Sequence, residues 1–233
     1  MKKVSIIILN WNGTEDTIEC LESIHKLDVN GYTLNTIVVD NGSKERFKIK
    51  DVRFKNDVLI IRNEENLGFA GGNNVAIRYA LESGADYIVI LNNDTLVHKS
   101  LIGELLKIAD SDEKIGIVAP KIYFAKDFEF HKDRYKENER GKVIWYAGGL
   151  MDWNNVIGKH HGVDEVDKSQ YEKVEETEFA SGCCMMVKRE VFEKVGFFDE
   201  RYYLYYEDSD FCQRVKALPT GRQGKGHRVM YAP

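Results

Sequence analysis

VSIIILNWNG, residues 4–13, is an apolar run rich in β-branched residues that stops abruptly at Asn10-Trp11-Asn12-Gly13. Such a run suits a strand covered on both faces, the situation of a central strand in a parallel sheet. It is too short for a secretory signal, and no small-residue cleavage site follows it. Thr14 to Leu27 then carries Ile18, Leu21, Ile24 and Leu27 at helical spacing, with Asn12-Gly13-Thr14 as a start signal. The alternation continues, with strands predicted at Thr36–Val39, Val58–Ile61, Tyr87–Leu91 and Ile115–Val118. Helices are predicted over Phe69–Ser83, closed by Gly84, and over Leu101–Ala109. Strands alternating with helices imply βαβ units and a Rossmann-like α/β fold, with a mostly parallel central sheet flanked by helices.

Beyond Tyr123 the pattern weakens. Phe128 to Lys142 is charged and reads as a solvated loop. Ile144–Tyr146, Gly148-Gly149 and Met151–Trp153 suggest a short hairpin, with His160-His161 on its surface. Glu178–Lys188 reads as a buried strand, Glu190–Val195 as a helix stopped by Gly196, Ser209–Ala217 as a helix and Arg228–Tyr231 as a last strand.

The residues behind the strands carry the functional signal. The first four strands run into Asn10-Trp11-Asn12-Gly13, Asp40-Asn41-Gly42-Ser43, Arg62-Asn63 with Asn66, and Asn92-Asn93-Asp94. In an open parallel sheet the carboxyl ends share one edge, and ligands bind there. Turn formation explains any one of these clusters. Four in succession favour a common crevice.

Composition narrows the ligand. The formal net charge of −5 gives no sign of the clustered basic surface a nucleic-acid partner requires. No stretch approaches the ~20 apolar residues of a membrane span. Cys20, Cys183, Cys184 and Cys212 form no CxxC pair or zinc-spaced cluster, so they are expected as buried thiols in a reducing compartment.

Four motifs have the chemistry for a phosphate-bearing donor. Asp94 in Asn92-Asn93-Asp94-Thr95 can hold Mg²⁺ or Mn²⁺ on a diphosphate, and Asn92 can bond a ribose hydroxyl. Asp40 can accept from a pyrimidine ring N–H, or cap a turn. The loop Asn66-Leu67-Gly68-Phe69-Ala70-Gly71-Gly72-Asn73-Asn74 allows close backbone approach, either to an anion or to a packed helix. It is neither a dinucleotide fingerprint nor a P-loop. Finally, Tyr205-Tyr206-Glu207-Asp208-Ser209-Asp210 groups three carboxylates that can supply a general base, and Arg214 can pair with Asp210 or reach a phosphate. The aromatics Phe197, Phe198, Tyr202, Tyr203, Tyr205 and Tyr206 serve a sugar face or the core.

VSIIILNWNG (4–13), IVVDNGS (37–43), NLGFAGGNN (66–74), YIVILNNDT (87–95) and SGCCMMVKREVFEKVGFFDERYYLYYEDSDFCQR (181–214) together resemble, in order, the family-2 glycosyltransferases of the GT-A fold, particularly the rhamnosyltransferase-like branch. The resemblance implies one GT-A domain over 1–233. Its nucleotide-sugar-binding half would be 1–123, and its acceptor-side and catalytic-base half, with a small antiparallel subregion, 124–233. It also implies an inverting transfer of a sugar, rhamnose in that branch, from a nucleoside-diphosphate-sugar donor to a glycan or lipid-linked acceptor. Under it Asp208 is the catalytic base and Glu207 assists the acceptor. Asn10, Asn12, Asp40, Asn41, Gly68, Gly71, Asn73, Asn92, Asp94 and Arg214 face the donor, and Asp94 binds the metal. The implied setting is cytoplasmic, with peripheral contact at the inner membrane face.

Two departures qualify the resemblance. Residues 217–226 (ALPTGRQGKG) are longer than the family's usual link and read as an inserted loop. The chain also stops at Pro233, before the segment in which the family often carries a metal-site histidine, so a C-terminal truncation is expected. A non-catalytic nucleotide-sugar-binding or scaffold protein is the competing reading. A sugar nucleotidyltransferase ranks lower, because Asn10-Trp11-Asn12-Gly13 lacks the basic residues its first loop needs.

Overall fold

A computed structural model describes residues 1–48, 58–217 and 226–233. In chain order the elements are β1 (Lys2–Asn10), α1 (Thr14–Ile24), β2 (Tyr32–Asn41), β3 (Val58–Asn63), α2 (Gly68–Glu82), β4 (Tyr87–Asn92), α3 (Leu101–Ala109), β5 (Ile115–Pro120), β6 (Ile122–Tyr123), β7 (Ile144–Tyr146), β8 (Gly149–Asp152), β9 (Ile157–His160), β10 (Glu175–Glu176), β11 (Cys184–Lys188), α4 (Arg189–Val195), α5 (Glu207–Ala217) and β12 (Arg228–Ala232). The expected α/β architecture is present.

Eight strands form one sheet in the order β10-β12-β5-β11-β4-β1-β2-β3. β1, β2, β3 and β4 are mutually parallel, and β12 is parallel to β5. β11 enters antiparallel between β4 and β5. Its amino end therefore lies beside the carboxyl end of β4, with Cys184 opposite Leu91.

The apolar run of β1 sits in the middle, and its period of two divides the core. Val4, Ile6 and Ile8 face a layer with Leu21 of α1 and Ile102 and Leu105 of α3. Ile7 faces the opposite layer with Ala76 and Ile77 of α2, Val191 of α4 and Phe211 of α5. Helix α2 comes close because it is thin: a Cβ at Gly72 would stand 2.5 Å from Leu9 and 2.9 Å from the Asn41 amide.

The second half differs locally from the sequence reading. β7 does not pair with the next strand but turns back onto β6, and the hairpin is β8–β9. The strand expected over Glu178–Lys188 is regular only from Cys184; before that the chain is a strap bonded to α5. His160 is on the hairpin as expected, yet its ring packs inward against Trp145, Tyr146 and Phe179. Glu129, within the segment read as a solvated loop, is buried and accepts the Gly141 amide at 2.6 Å. The inserted loop read at 217–226 lies, apart from its two end residues, outside the described residues. No helix among the described residues is long and apolar enough to cross a membrane.

His227, leading into β12, is buried, and burial lowers its pKa from the usual 6.5. A base whose folded pKa is lowered keeps its full stability contribution above the unfolded value and loses it as pH falls below that value. The urea midpoint is therefore expected to drop as pH falls below about 6.5, and His227→Met to flatten that drop. Identical pH profiles for the two proteins would refute this account of His227.

Candidate active site

Register aligns the first strand ends. Asn10 stands opposite Asp40, and Asp40 opposite Arg62, so three polar side chains cross β1, β2 and β3 in one row. Asp40 is 0% exposed. One carboxylate oxygen accepts the Ser43 amide at 3.1 Å; the other accepts the Phe47 amide at 2.8 Å and pairs with Arg62. Burial alone would raise its pKa, but the bonds from Ser43, Phe47 and Arg62 together hold it below the usual value. Asp40 thus shapes the 42–47 turn from within, and Arg62 also reaches the Ser43 carbonyl at 3.0 Å.

Neutral amides carry the neighbouring joints. The Asn10 oxygen accepts from the Gly13 amide and the Thr17 hydroxyl, at 3.1 and 3.0 Å, while its NH₂ reaches Ser43. Asn12, in the left-handed region at φ 59°, donates its amide to the Ser43 hydroxyl and accepts from the Lys44 amide. Asn41 donates to Asn66 and the Gly68 carbonyl and accepts from Asn63 and Leu67, so all its bonds tie β2 to β3 and to the start of α2. Asn93 spans to α1 through Thr17 and the Gly13 carbonyl.

The glycine-rich loop serves close packing. Gly68 has φ 72°, and a Cβ there would lie 2.4 Å from the Tyr203 carbonyl. That carbonyl accepts the Phe69 amide at 2.8 Å, and the Gly68 amide goes to Asn66, so the first amides of α2 are held by protein groups. A Cβ at Gly71 would meet Leu67 at 3.0 Å. Asn73 is buried and donates to the Phe69 carbonyl, one turn back. Arg214 lies elsewhere: its guanidinium bonds Asp210 and the carbonyls of Val195 and Phe197, joining α5 to the end of α4. Tyr205 and Tyr206 both have positive φ, 71° and 69°, just before α5.

Three groups remain for a ligand. The backbone amide of Asn92 donates to the Cys183 carbonyl at 2.9 Å, while its half-buried side chain has no protein partner among the described residues. Asp94, two residues on, is exposed. Asp208 accepts the Gly182 amide at 2.9 Å on one oxygen and the Ser209 amide and hydroxyl on the other. The adjoining residues Gly182 and Cys183 therefore touch Asp208 and Asn92 respectively. The structure brings Asn92, Asp94 and Asp208 to one edge through this strap.

Glu207, beside Asp208, is 5% exposed, and its Oε2 has no partner among the described residues. Burial, with the Asp208 charge adding to it, pushes its pKa up to about 7. The site's thiols are poor nucleophiles. Burial pushes Cys20 up to about 11 and holds Cys183 well above its usual value, with the Asp94 charge a lesser cause in both.

No cluster of three or more His, Cys, Asp or Glu residues among the described residues could hold a metal ion. The donor set nevertheless fits one kind of cation, a hard ion bound through a single carboxylate, substrate phosphates and water. Asp94, exposed just beyond the end of β4, is a carboxylate of the kind such an ion needs. Ser43, Arg62, Gly182 and Tyr203 complete the site's framework; the first three were not singled out as site residues from their motifs, and Tyr203, expected for its ring, contributes its carbonyl. Arg62 and Ser43 stood in the strand-end clusters, but their contacts depend on register.

Comparison with solved structures establishes the fold class as GT-A. The mannosyltransferase PcManGT from Pyrobaculum calidifontis, in complex with GDP-Man and Mn²⁺, aligns over 99% of this chain and 54% of its own, with TM-score 0.62 and 18% identity. GalNAc-T7, with UDP, GalNAc and Mn²⁺, aligns over 99% of this chain and 42% of its own, with TM-score 0.74 and 15% identity. Residues 5–196 match the family described as glycosyl transferase family 2, and the chain belongs to that family. Its relatives include a low-salt glycan biosynthesis hexosyltransferase of Haloferax volcanii, 29% identical over 91% of this chain and 61% of that protein. A dTDP-rhamnosyl transferase of Shigella flexneri is 29% identical over 76% of this chain and 52% of that protein. An N-acetylglucosaminyl-diphospho-decaprenol L-rhamnosyltransferase of Mycobacterium tuberculosis is 25% identical over 78% and 61%. The chain thus spans between half and two thirds of the length of these relatives.

A carboxyl with a raised folded pKa costs stability as pH climbs from its ordinary value, 4.5, through about 7. Glu207→Gln should therefore gain on the parent protein by up to about 3 kcal/mol between about pH 5 and about pH 8 in urea melts. A gap that does not change with pH would show that Glu207 is not the buried acid described.

Proposed function

We propose that this protein transfers a sugar, with inversion at C1, from a nucleoside-diphosphate-sugar to a hydroxyl of a glycan or lipid-linked acceptor. The observation that carries the reading is the shared edge: Asp208 and Asn92 are bonded to adjacent residues of one strap, and Asp94 follows Asn92 by two positions. A base for the acceptor and a seat for the leaving group are then close enough to serve one sugar carbon. The names of the relatives, hexosyl- and rhamnosyltransferases, support the donor class.

In this reading Asp208 takes the proton of the acceptor hydroxyl as its oxygen bonds to C1. The C1–oxygen bond to the diphosphate breaks on the opposite face, and the diphosphate leaves with the electron pair. The bonds Asp208 accepts from the Gly182 amide and from the Ser209 amide and hydroxyl fix the orientation of the carboxylate that acts as the base. Asp94 would hold Mg²⁺ or Mn²⁺, an assignment supported by the Mn²⁺ in the two structural neighbours. Such a cation supplies charge neutralisation for the departing diphosphate. The Asn92 side chain, uncommitted within the protein, is available to a donor hydroxyl. Asp40 and Arg62 hold the turn on which a base would rest. Peripheral membrane contact accompanies the lipid-linked form of the acceptor.

Asp208→Asn keeps the size and the Gly182 contact but removes the base. Transfer should fall about 10²- to 10⁴-fold while nucleoside diphosphate binding persists. Full transfer by the variant would remove Asp208 from this role. In thermal-shift assays, pyrimidine nucleoside diphosphates with Mn²⁺ should raise the melting temperature progressively with their concentration. Asp94→Ala should abolish the metal-dependent part of that shift. No shift with any nucleoside diphosphate would defeat the donor assignment.

A further inference from the structure

His160 is a half-buried imidazole that the transfer step above does not use. Its ring lies edge-on to Trp145 at 4.2 Å and to Tyr146 at 5.3 Å, and rests on Phe179 at 5.9 Å. Phe179 belongs to the strap that runs along α5. The Glu178 carbonyl accepts from Gln213, the Ala180 amide meets the Cys212 sulfur at 3.3 Å, and the Gly182 amide meets Asp208. Cys212 lies four residues beyond Asp208, on the same helix face. The hairpin clasps the strap from its other side: a Cβ at Gly149 would lie 2.5 Å from the Phe179 ring. His160 is therefore mounted, through Phe179, on the same short segment that holds the base.

Its chemistry is fixed by one bond. Nδ1 lies 3.1 Å from the Trp145 carbonyl, which can only accept, so Nδ1 carries the hydrogen. Burial lowers the ring's pKa, so it is neutral at physiological pH, and Nε2 then presents a lone pair. Nε2 has no protein partner among the described residues and is not among the side-chain atoms sealed from solvent. Trp145 is itself only partly buried. An imidazole acceptor beside an indole ring suits a ligand with both a hydroxyl and an apolar face, and the nearby Asp208 carboxylate disfavours an anionic one.

We propose that His160 and Trp145 form a binding subsite for an uncharged sugar ring of the acceptor, with a sugar hydroxyl donating to His160 Nε2 and the ring lying against Trp145. The proposal rests on the transferase reading and names the acceptor class for it. The test reads binding rather than turnover. Methyl glycosides of glucose and N-acetylglucosamine are titrated into the protein with UDP and Mg²⁺ present, and the histidine ring signals are followed by NMR, His160 being assigned from the spectrum of His160→Phe. The expected result is a saturable shift of the His160 signal. His160→Phe, which keeps an aromatic ring against Trp145 and Phe179, should bind the glycoside about five- to tenfold more weakly, with UDP affinity unchanged. His160→Gln, whose amide oxygen can accept, should recover part of the loss. A His160 signal unmoved by either glycoside, or undiminished glycoside binding by His160→Phe, overturns the proposal. Failure of UDP to bind would instead count against the donor reading, and the glycoside titration would still decide the subsite.

Discussion

Everything at the candidate site depends on the strap from Glu178 to Cys183. It touches the end of β4, helix α5 and the β8–β9 hairpin together. Asn92 donates to Cys183, Gly182 donates to Asp208, and Phe179 lies beneath His160. Its short reach is what holds Asp208 and the end of β4, with Asn92 and Asp94, at one edge. A Cβ at Gly182 would stand 3.1 Å from the Phe69 ring, so the strap is also pressed between α2 and α5. A small residue there lets three elements meet without a gap.

A second constraint is the division of labour between amides and acids. Asn10, Asn12, Asn41, Asn63, Asn66 and Asn93 bridge the strand ends without adding charge. Amides both donate and accept, so a few of them can satisfy many backbone groups in a confined space. Of the acids named at the site, Asp40 is neutralised by Arg62 and two amides, whereas Asp94 is open to solvent. The crevice is therefore held in shape largely by neutral groups, and the charge of Asp94 is left open to solvent just beyond the end of β4.

How much of this could be read in advance follows from range. The βαβ alternation and the strand-end clusters are local patterns, so β1, α2, β4 and α3 were legible almost to the residue, and with them Asn92 and Asp94. Glu207 and Asp208 were legible because three carboxylates in four residues are conspicuous. The Tyr203–Phe69 and Gly182–Asp208 bonds were not, since nothing local specifies partners so far apart in the chain. Gly68 and Gly71 illustrate the ambiguity well. Close approach was the right physical inference, but the chain gave no sign that the approaching atoms at Gly68 would be those of Tyr203. His160 looked like a surface residue because its neighbours Trp145 and Phe179 reach it only once the hairpin folds over the strap.

The antiparallel strand β11 has a consequence for how the molecule is assembled. It is made late, at residues 184–188, yet it fills a slot between β4 and β5, which are made much earlier. During synthesis those two strands must wait with open edges, and apolar edges left open invite the wrong neighbour. A segment corresponding to the first half alone would carry that vacancy permanently. The order of the sheet therefore makes the fold a high-contact-order one, in which a strand that emerges well after both its neighbours closes the centre and not the rim.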